Sequence, residues 1–89
     1  MQLPSDRQWL ILRILAENPR ICGSELRARY RKAAGEAMPM GSWGTTLHRL
    51  RGKGYVRWER SEEDRRARVY MPTTAGTLLV RAAQEVDGV

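Results

Sequence analysis

Residues 41–55 read Gly-Ser-Trp-Gly-Thr-Thr-Leu-His-Arg-Leu-Arg-Gly-Lys-Gly-Tyr, and no other stretch restricts the fold of this chain so tightly. Trp43, Leu47 and Leu50 recur at i, i+4 and i+7, the spacing of one buried face of an α-helix. At about 100° per residue, Thr45, His48, Arg49 and Gly52 project from the opposite side, with Ser42 at its edge. That outward set is small, polar and basic, and it holds no carboxylate. Gly54 predicts the end of the helix, and a strand-like run over residues 55–60 follows at once. A helix anchored by large apolar residues, with hydrogen-bonding side chains and a cation facing out, can enter a DNA major groove. The expectation is the recognition helix, residues 42–53, of a winged helix-turn-helix.

The flanking residues fit that expectation. Ser5 predicts a helix start, with Gln8 three residues on to complete a capping box. Trp9, Leu10, Ile11, Leu12, Ile14 and Leu15 are too many apolar residues for one narrow stripe, so this helix is expected at the centre of the core. Asn18-Pro19 ends it, because the residue before proline disfavours helix. Residues 20–22 suffice only for a stub of strand. A second helix is expected from Gly23 or Ser24 to about Ala34, stopped by Gly35, with Leu26, Tyr30 and Ala33 inward and Arg29 paired to Glu25. After the organising helix, Val56 and Trp58 alternate with Tyr55, Arg57 and Glu59. Beyond the charged turn 61–66, Ala67, Val69 and Met71 alternate with Arg66, Arg68 and Tyr70, which predicts a hairpin whose tip, the wing, spans residues 60–68. Pro72 ends the ladder, and Thr73 is placed to cap a last helix. The predicted fold class is α+β, mostly α: a three-helix core, a β-hairpin wing and a C-terminal helix, forming one domain over residues 1–89.

Composition narrows the function classes. A hydrophobic share of 42% and a charged share of 29% are those of a globular chain, with no apolar run long enough to cross a bilayer. The N-terminal residues lack the pattern of a signal peptide, so the cytoplasm is the expected compartment and no membrane partner is expected. One cysteine and one histidine rule out an intrachain disulfide and any metal site built from several soft ligands. No catalytic constellation is visible, and neither enzymatic activity nor a cofactor is expected. The formal net charge is +6, and it is uneven: residues 1–57 carry eleven Lys/Arg against four Asp/Glu, residues 58–89 five against six. A pI of about 10.4 with the cations concentrated in one region is the electrostatic footprint of a nucleic-acid binder. The dominance of Arg is equally compatible with a compositional bias of the genome.

The residues resemble those of PadR-like transcriptional regulators. The likeness runs through Ile11-Leu12-Arg13-Ile14-Leu15-Ala16-Glu17, is densest over residues 41–56, and resumes at Arg68-Val69-Tyr70 and Thr73-Thr74-Ala75-Gly76. Leu-x-x-Leu followed by Lys-Gly-Tyr-Val also occurs in other winged-helix repressors, such as the MarR group. The resemblance implies a repressor-like regulator of double-stranded DNA, often a homodimer, sometimes responsive to a small phenolic or other hydrophobic effector. Three features depart from it. Gly44 stands where the family usually has tyrosine, which weakens the helix by about 1 kcal/mol relative to Ala. The segment before Leu26 is one residue longer than is typical. The larger C-terminal dimerisation region of many members does not follow the fourth helix, which predicts a weaker dimer.

On this reading Ser42, Thr45, His48, Arg49 and Lys53 meet bases and phosphates in the major groove. Arg65, Arg66 and Arg68 of the wing touch backbone phosphate, with Glu62, Glu63 and Asp64 facing solvent or folded back. Arg27 and Arg31 either flank the DNA backbone or keep their helix face solvated. Trp9, Trp43 and Trp58 are expected in the core rather than around an effector, and Cys22 as a small apolar residue rather than a redox switch. Leu78, Leu79, Ala82 and Val86 exceed what one face of an end-helix needs and predict a dimerisation seam. The rival function is a winged-helix adaptor that binds a protein partner without specific DNA binding.

Overall fold

The capping box forms as the sequence requires. Ser5 Oγ accepts from the backbone N–H of Gln8 at 3.3 Å, and Gln8 Oε1 accepts from that of Ser5 at 3.1 Å. This opens α1 (Asp6–Glu17), which Asn18 closes. The computed structural model describes residues 3–87, with side chains as far as Glu85. The chain continues through β1 (Ile21–Cys22), α2 (Gly23–Ala34), α3 (Met40–Gly52), β2 (Val56–Arg60), β3 (Arg68–Pro72) and α4 (Thr74–Asp87). α1 buries Gln8, Ile11, Leu12, Ile14 and Leu15 and touches α2, α3, α4 and β3, which is why its apolar residues go round more than one side.

The three strands form an antiparallel sheet in the order β1-β3-β2, with Ile21 opposite Tyr70 and Trp58 opposite Tyr70 on the other side. β3 is thus the central strand, and α1, α2 and α4 all pack against it. A strand covered on both faces loses the in-out alternation of a half-buried one. Tyr70 and Met71 are accordingly both buried, whereas alternation puts Tyr70 outside. Tyr55 is likewise buried rather than outward, because it belongs to the corner before β2 and not to the pleat. One further expectation fails. Ala33 is exposed, since the last turn of α2 runs past its neighbours, and Met38 of the following link fills the core instead. In α4, Gly76 and Val80 are buried against the body, while Leu78 and Ala82 stay exposed.

The corner after α3 fixes the direction of that helix. Gly54 adopts a left-handed conformation with φ of 84°. Gly54 N–H donates to the Arg51 carbonyl at 2.9 Å and Tyr55 N–H to that of Leu50 at 3.1 Å, the paired bonds of a Schellman motif. α4 docks on this corner. Thr73 N–H donates to the Tyr55 carbonyl at 3.0 Å, and Thr73 Oγ1 donates to that of Gly54 at 2.6 Å while accepting from Gly76 N–H at 3.1 Å. A Cβ at Gly76 would stand 2.3 Å from the Tyr55 carbonyl oxygen, so residue 76 has room for hydrogen only.

Candidate nucleic-acid interface

α3 is held by its apolar face and offers the other. Trp43, Leu47 and Leu50 are buried, and Trp43 packs on Tyr30 of α2 at 5.6 Å between ring centroids. Thr45, His48, Arg49, Arg51 and Gly52 are exposed, and Ser42 is half-buried at the edge. Thr45 Oγ1 donates back to the Gly41 carbonyl at 2.9 Å and Thr46 Oγ1 to that of Ser42 at 2.7 Å. Each hydroxyl keeps lone pairs for an incoming donor. No acidic residue occurs between Glu36 and Glu59, a span that includes all of α3. Arg49, Thr45 and Ser42 face a polar groove of about 400 Å³ whose far wall is Ser5, Arg7 and Gln8 at the start of α1. No periodicity in the sequence singles out Arg7; only the packing of α1 on α3 brings it into one groove with Arg49.

Two of the expected contact residues are turned to other partners. The Lys53 ammonium donates to Gln8 Oε1 at 2.6 Å and to the Leu3 carbonyl at 3.2 Å, tying the end of α3 to the start of α1. Arg27 donates to the Met38 carbonyl at 3.1 Å and also contacts Met40 Sδ, bracing the link between α2 and α3. Arg31, one turn on, is exposed. Both arginines line a hollow of about 560 Å³ with Ala28, Met40 and Trp43.

The hairpin tip is built on its own backbone. Ser61 N–H donates to the Ala67 carbonyl at 3.0 Å and Ala67 N–H to that of Asp64 at 2.9 Å. Ser61 Oγ accepts from the N–H groups of Glu63 and Asp64, and Asp64 Oδ1 accepts from that of Arg66 at 3.0 Å. Asp64 therefore folds back onto the turn, while Glu62 and Glu63 face solvent. Arg65, Arg66 and Arg68 are exposed, and among the described residues none is in an ion pair. Arg20, just before β1, pairs with Glu59 of β2 at 2.9 Å, and Arg29 pairs with Glu25 at 3.0 Å.

The three tryptophans do not share a pocket: Trp43 is core, Trp58 is half-buried on the hairpin, and Trp9 lies half-buried in an apolar groove of about 390 Å³ with Leu3, Pro4, Leu79, Ala82 and Ala83. Leu78 is 57% exposed, Ala82 is exposed, and Val86 lies outside the residues whose side chains are described. Cys22 is half-exposed rather than a buried hydrophobe. A hydrogen bond with Ser24, helped by a backbone bond at Glu25, holds its thiol below the ordinary value. Among the described residues no three His, Cys, Asp or Glu come together as metal ligands, and no helix is long and apolar enough to cross a membrane.

Helix order, three-stranded sheet and hairpin together match solved structures. RosR of H. salinarum superimposes with a TM-score of 0.81 at 28% identity, over 93% of this chain and 73% of RosR. The chain is a winged helix. NadR, solved in complex with 4-hydroxyphenylacetate, matches this winged helix with a TM-score of 0.78 at 27% identity, over 91% of the chain and 53% of NadR. FabT of Streptococcus pneumoniae, solved in complex with DNA, matches with a TM-score of 0.75 at 24% identity, over 94% of the chain and 55% of FabT. The chain thus spans about half the length of NadR and FabT. These structural neighbours, with MarR among them, are winged-helix transcriptional regulators of the MarR family. No family model matches the sequence of the winged helix, and no curated protein matches it either.

Proposed function

We propose that this winged helix is a DNA-binding transcriptional regulator, acting in the cytoplasm as a repressor of the PadR-like or MarR-like kind. The observation that carries the reading is the exposed face of α3, where Ser42, Thr45, His48 and Arg49 stand without a carboxylate among them. Arg49 is the residue for base edges, because a guanidinium can bond guanine bidentately, and the hydroxyls serve either base type. Arg65, Arg66 and Arg68 grip phosphate from the hairpin, and Arg7 and Arg31 extend the basic surface to either side. Lys53 and Arg27 act indirectly, by holding α1 and the α2–α3 link against the reading helix. The DNA complex of FabT supports such use of the fold.

A homodimer formed through α4 and the start of α1 would present two recognition helices about one duplex turn, ~34 Å, apart. The apolar groove beside Leu79 and Ala82, with Leu78 and Leu3 exposed, supports this face as the seam. NadR's bound 4-hydroxyphenylacetate supports a small aromatic effector.

Arg49→Ala tests the reading against Arg66→Ala. On a duplex selected from a random pool, Arg49→Ala is expected to cost about 1 to 3 kcal/mol and to change little on scrambled DNA. Arg66→Ala is expected to weaken all sequences alike and lower the salt slope by about one unit. Equal weakening by Arg49→Ala on both duplexes refutes α3 as the reader. Absence of salt-dependent DNA binding by the wild type favours the adaptor reading instead.

A further inference from the structure

Trp58 gathers side chains from both DNA-facing elements. The Arg51 guanidinium carbon lies 4.6 Å from the centroid of its ring and that of Arg68 lies 5.2 Å away. The His48 ring meets it edge-on at 5.3 Å, and buried Tyr70 supports it from β3 at 5.5 Å. Arg51 comes from the last turn of α3 and Arg68 from the first residue of β3. One ring thus holds two cations that the fold would otherwise leave on separate, mobile stems.

Two guanidiniums drawn to one point repel each other unless something negative lies nearby, and among the described residues neither is in an ion pair with a carboxylate. The face of the indole supplies part of that negative potential. A guanidinium over a ring also keeps its N–H edge free, in the fork geometry that suits a phosphate oxygen pair. Arg51 lies toward the hairpin, off the outward face that carries Thr45 and Arg49, so it is placed for backbone rather than for base edges.

We propose that Arg51 and Arg68, held together by Trp58, form a composite phosphate clamp that joins the recognition helix to the wing on the DNA backbone. The clamp rests on the DNA-binding reading above. Trp58 is its positioning residue: it touches no phosphate, and it fixes where two cations stand. The wing angle follows from the same contact, because Arg51 and His48 of α3 close on the ring that β2 carries.

The test exploits the fact that changing Trp58 removes no charge. Affinity of the full chain for a short random-sequence duplex is measured by anisotropy across a fourfold range of salt, for wild type, Trp58→Leu and Trp58→Tyr. Each phosphate neutralised contributes about 0.9 to the slope of log affinity against log salt. Trp58→Leu is expected to lower the slope by about one unit, so that affinity falls roughly fourfold less than in the wild type across that salt range, whereas Trp58→Tyr keeps the wild-type slope. Should Trp58→Leu fail to fold, as judged by its thermal melt, Arg51→Gln is read in its place and is expected to lower the slope by the same amount. An unchanged slope in Trp58→Leu, or in Arg51→Gln, overturns the clamp while leaving DNA binding intact. A wild type without salt-dependent DNA binding overturns both the clamp and the reading on which it rests.

Discussion

Gln8→Ala is expected to destabilise the protein far more than a change in one polar side chain ordinarily does. Gln8 is 4% exposed, and its Oε1 accepts both the Ser5 N–H at 3.1 Å and the Lys53 ammonium at 2.6 Å. Losing one half of a capping box costs about 1 kcal/mol. The bond to Lys53 is charge-assisted, and full loss of such a bond costs about 1.5 to 3 kcal/mol. Lys53 is only half-buried and keeps the Leu3 carbonyl, so about 1 kcal/mol is the appropriate share. The expected total of about 2 kcal/mol lowers the melting temperature of a domain this size by roughly 8 to 16 °C. Circular dichroism melts of wild type, Gln8→Ala, Lys53→Met and the double variant separate the parts, because the cycle isolates the pairwise interaction. A coupling of about 1 kcal/mol is expected, with Lys53→Met leaving the salt slope of DNA binding unchanged. A coupling near zero, together with a slope lowered by about one unit in Lys53→Met, means that the ammonium is free to reach phosphate and refutes the tether.

Three further outcomes follow from geometry already described. Gly76→Ala forces a methyl against the Tyr55 carbonyl oxygen and is expected to cost about 1 to 3 kcal/mol in a denaturant titration, as overpacking does; a loss below about 0.5 kcal/mol would mean that α4 is not seated on that corner. The pH midpoint of Cys22 alkylation is expected below that of an ordinary cysteine, and Ser24→Ala is expected to move it upward, since the Ser24 hydrogen bond is the leading cause of the shift. If α4 forms the proposed homodimer seam, the wild type sediments as a dimer and Leu78→Glu as a folded monomer at the same concentration; an unchanged sedimentation coefficient refutes that seam.

Where local chemistry decides, the sequence is legible. Ser5 and Gln8 lie three residues apart and find each other within one turn. Trp43, Leu47 and Leu50 share a face whatever surrounds them, and Gly35 and Gly54 each permit the left-handed conformation that ends a helix. Where distant neighbours decide, it is not. Alternation misplaces Tyr70 because nothing in residues 66–71 tells that helices from elsewhere in the chain will pack against this strand. Lys53 and Arg49 look alike as cations near the end of one helix, yet Gln8, forty-five residues away, claims the ammonium of one and leaves the other exposed. Arg51 is illegible for the converse reason. It lies between the buried and outward faces of α3, and its partner Trp58 belongs to another element.

The close approach of Gly76 to Tyr55 has a bearing on how such a gene can drift. Thr73 can become serine and keep its bonds, and Gly54 can become asparagine at modest cost, because asparagine tolerates the left-handed region. Residue 76 has no such latitude, since even one carbon would meet the Tyr55 carbonyl oxygen at 2.3 Å. A lineage that loses this glycine must first move α4 away from the end of α3, and with it the angle at which the helix leaves the body. Any change in the angle of α4 is therefore tied to residue 76, a buried position that meets only the backbone of its own chain.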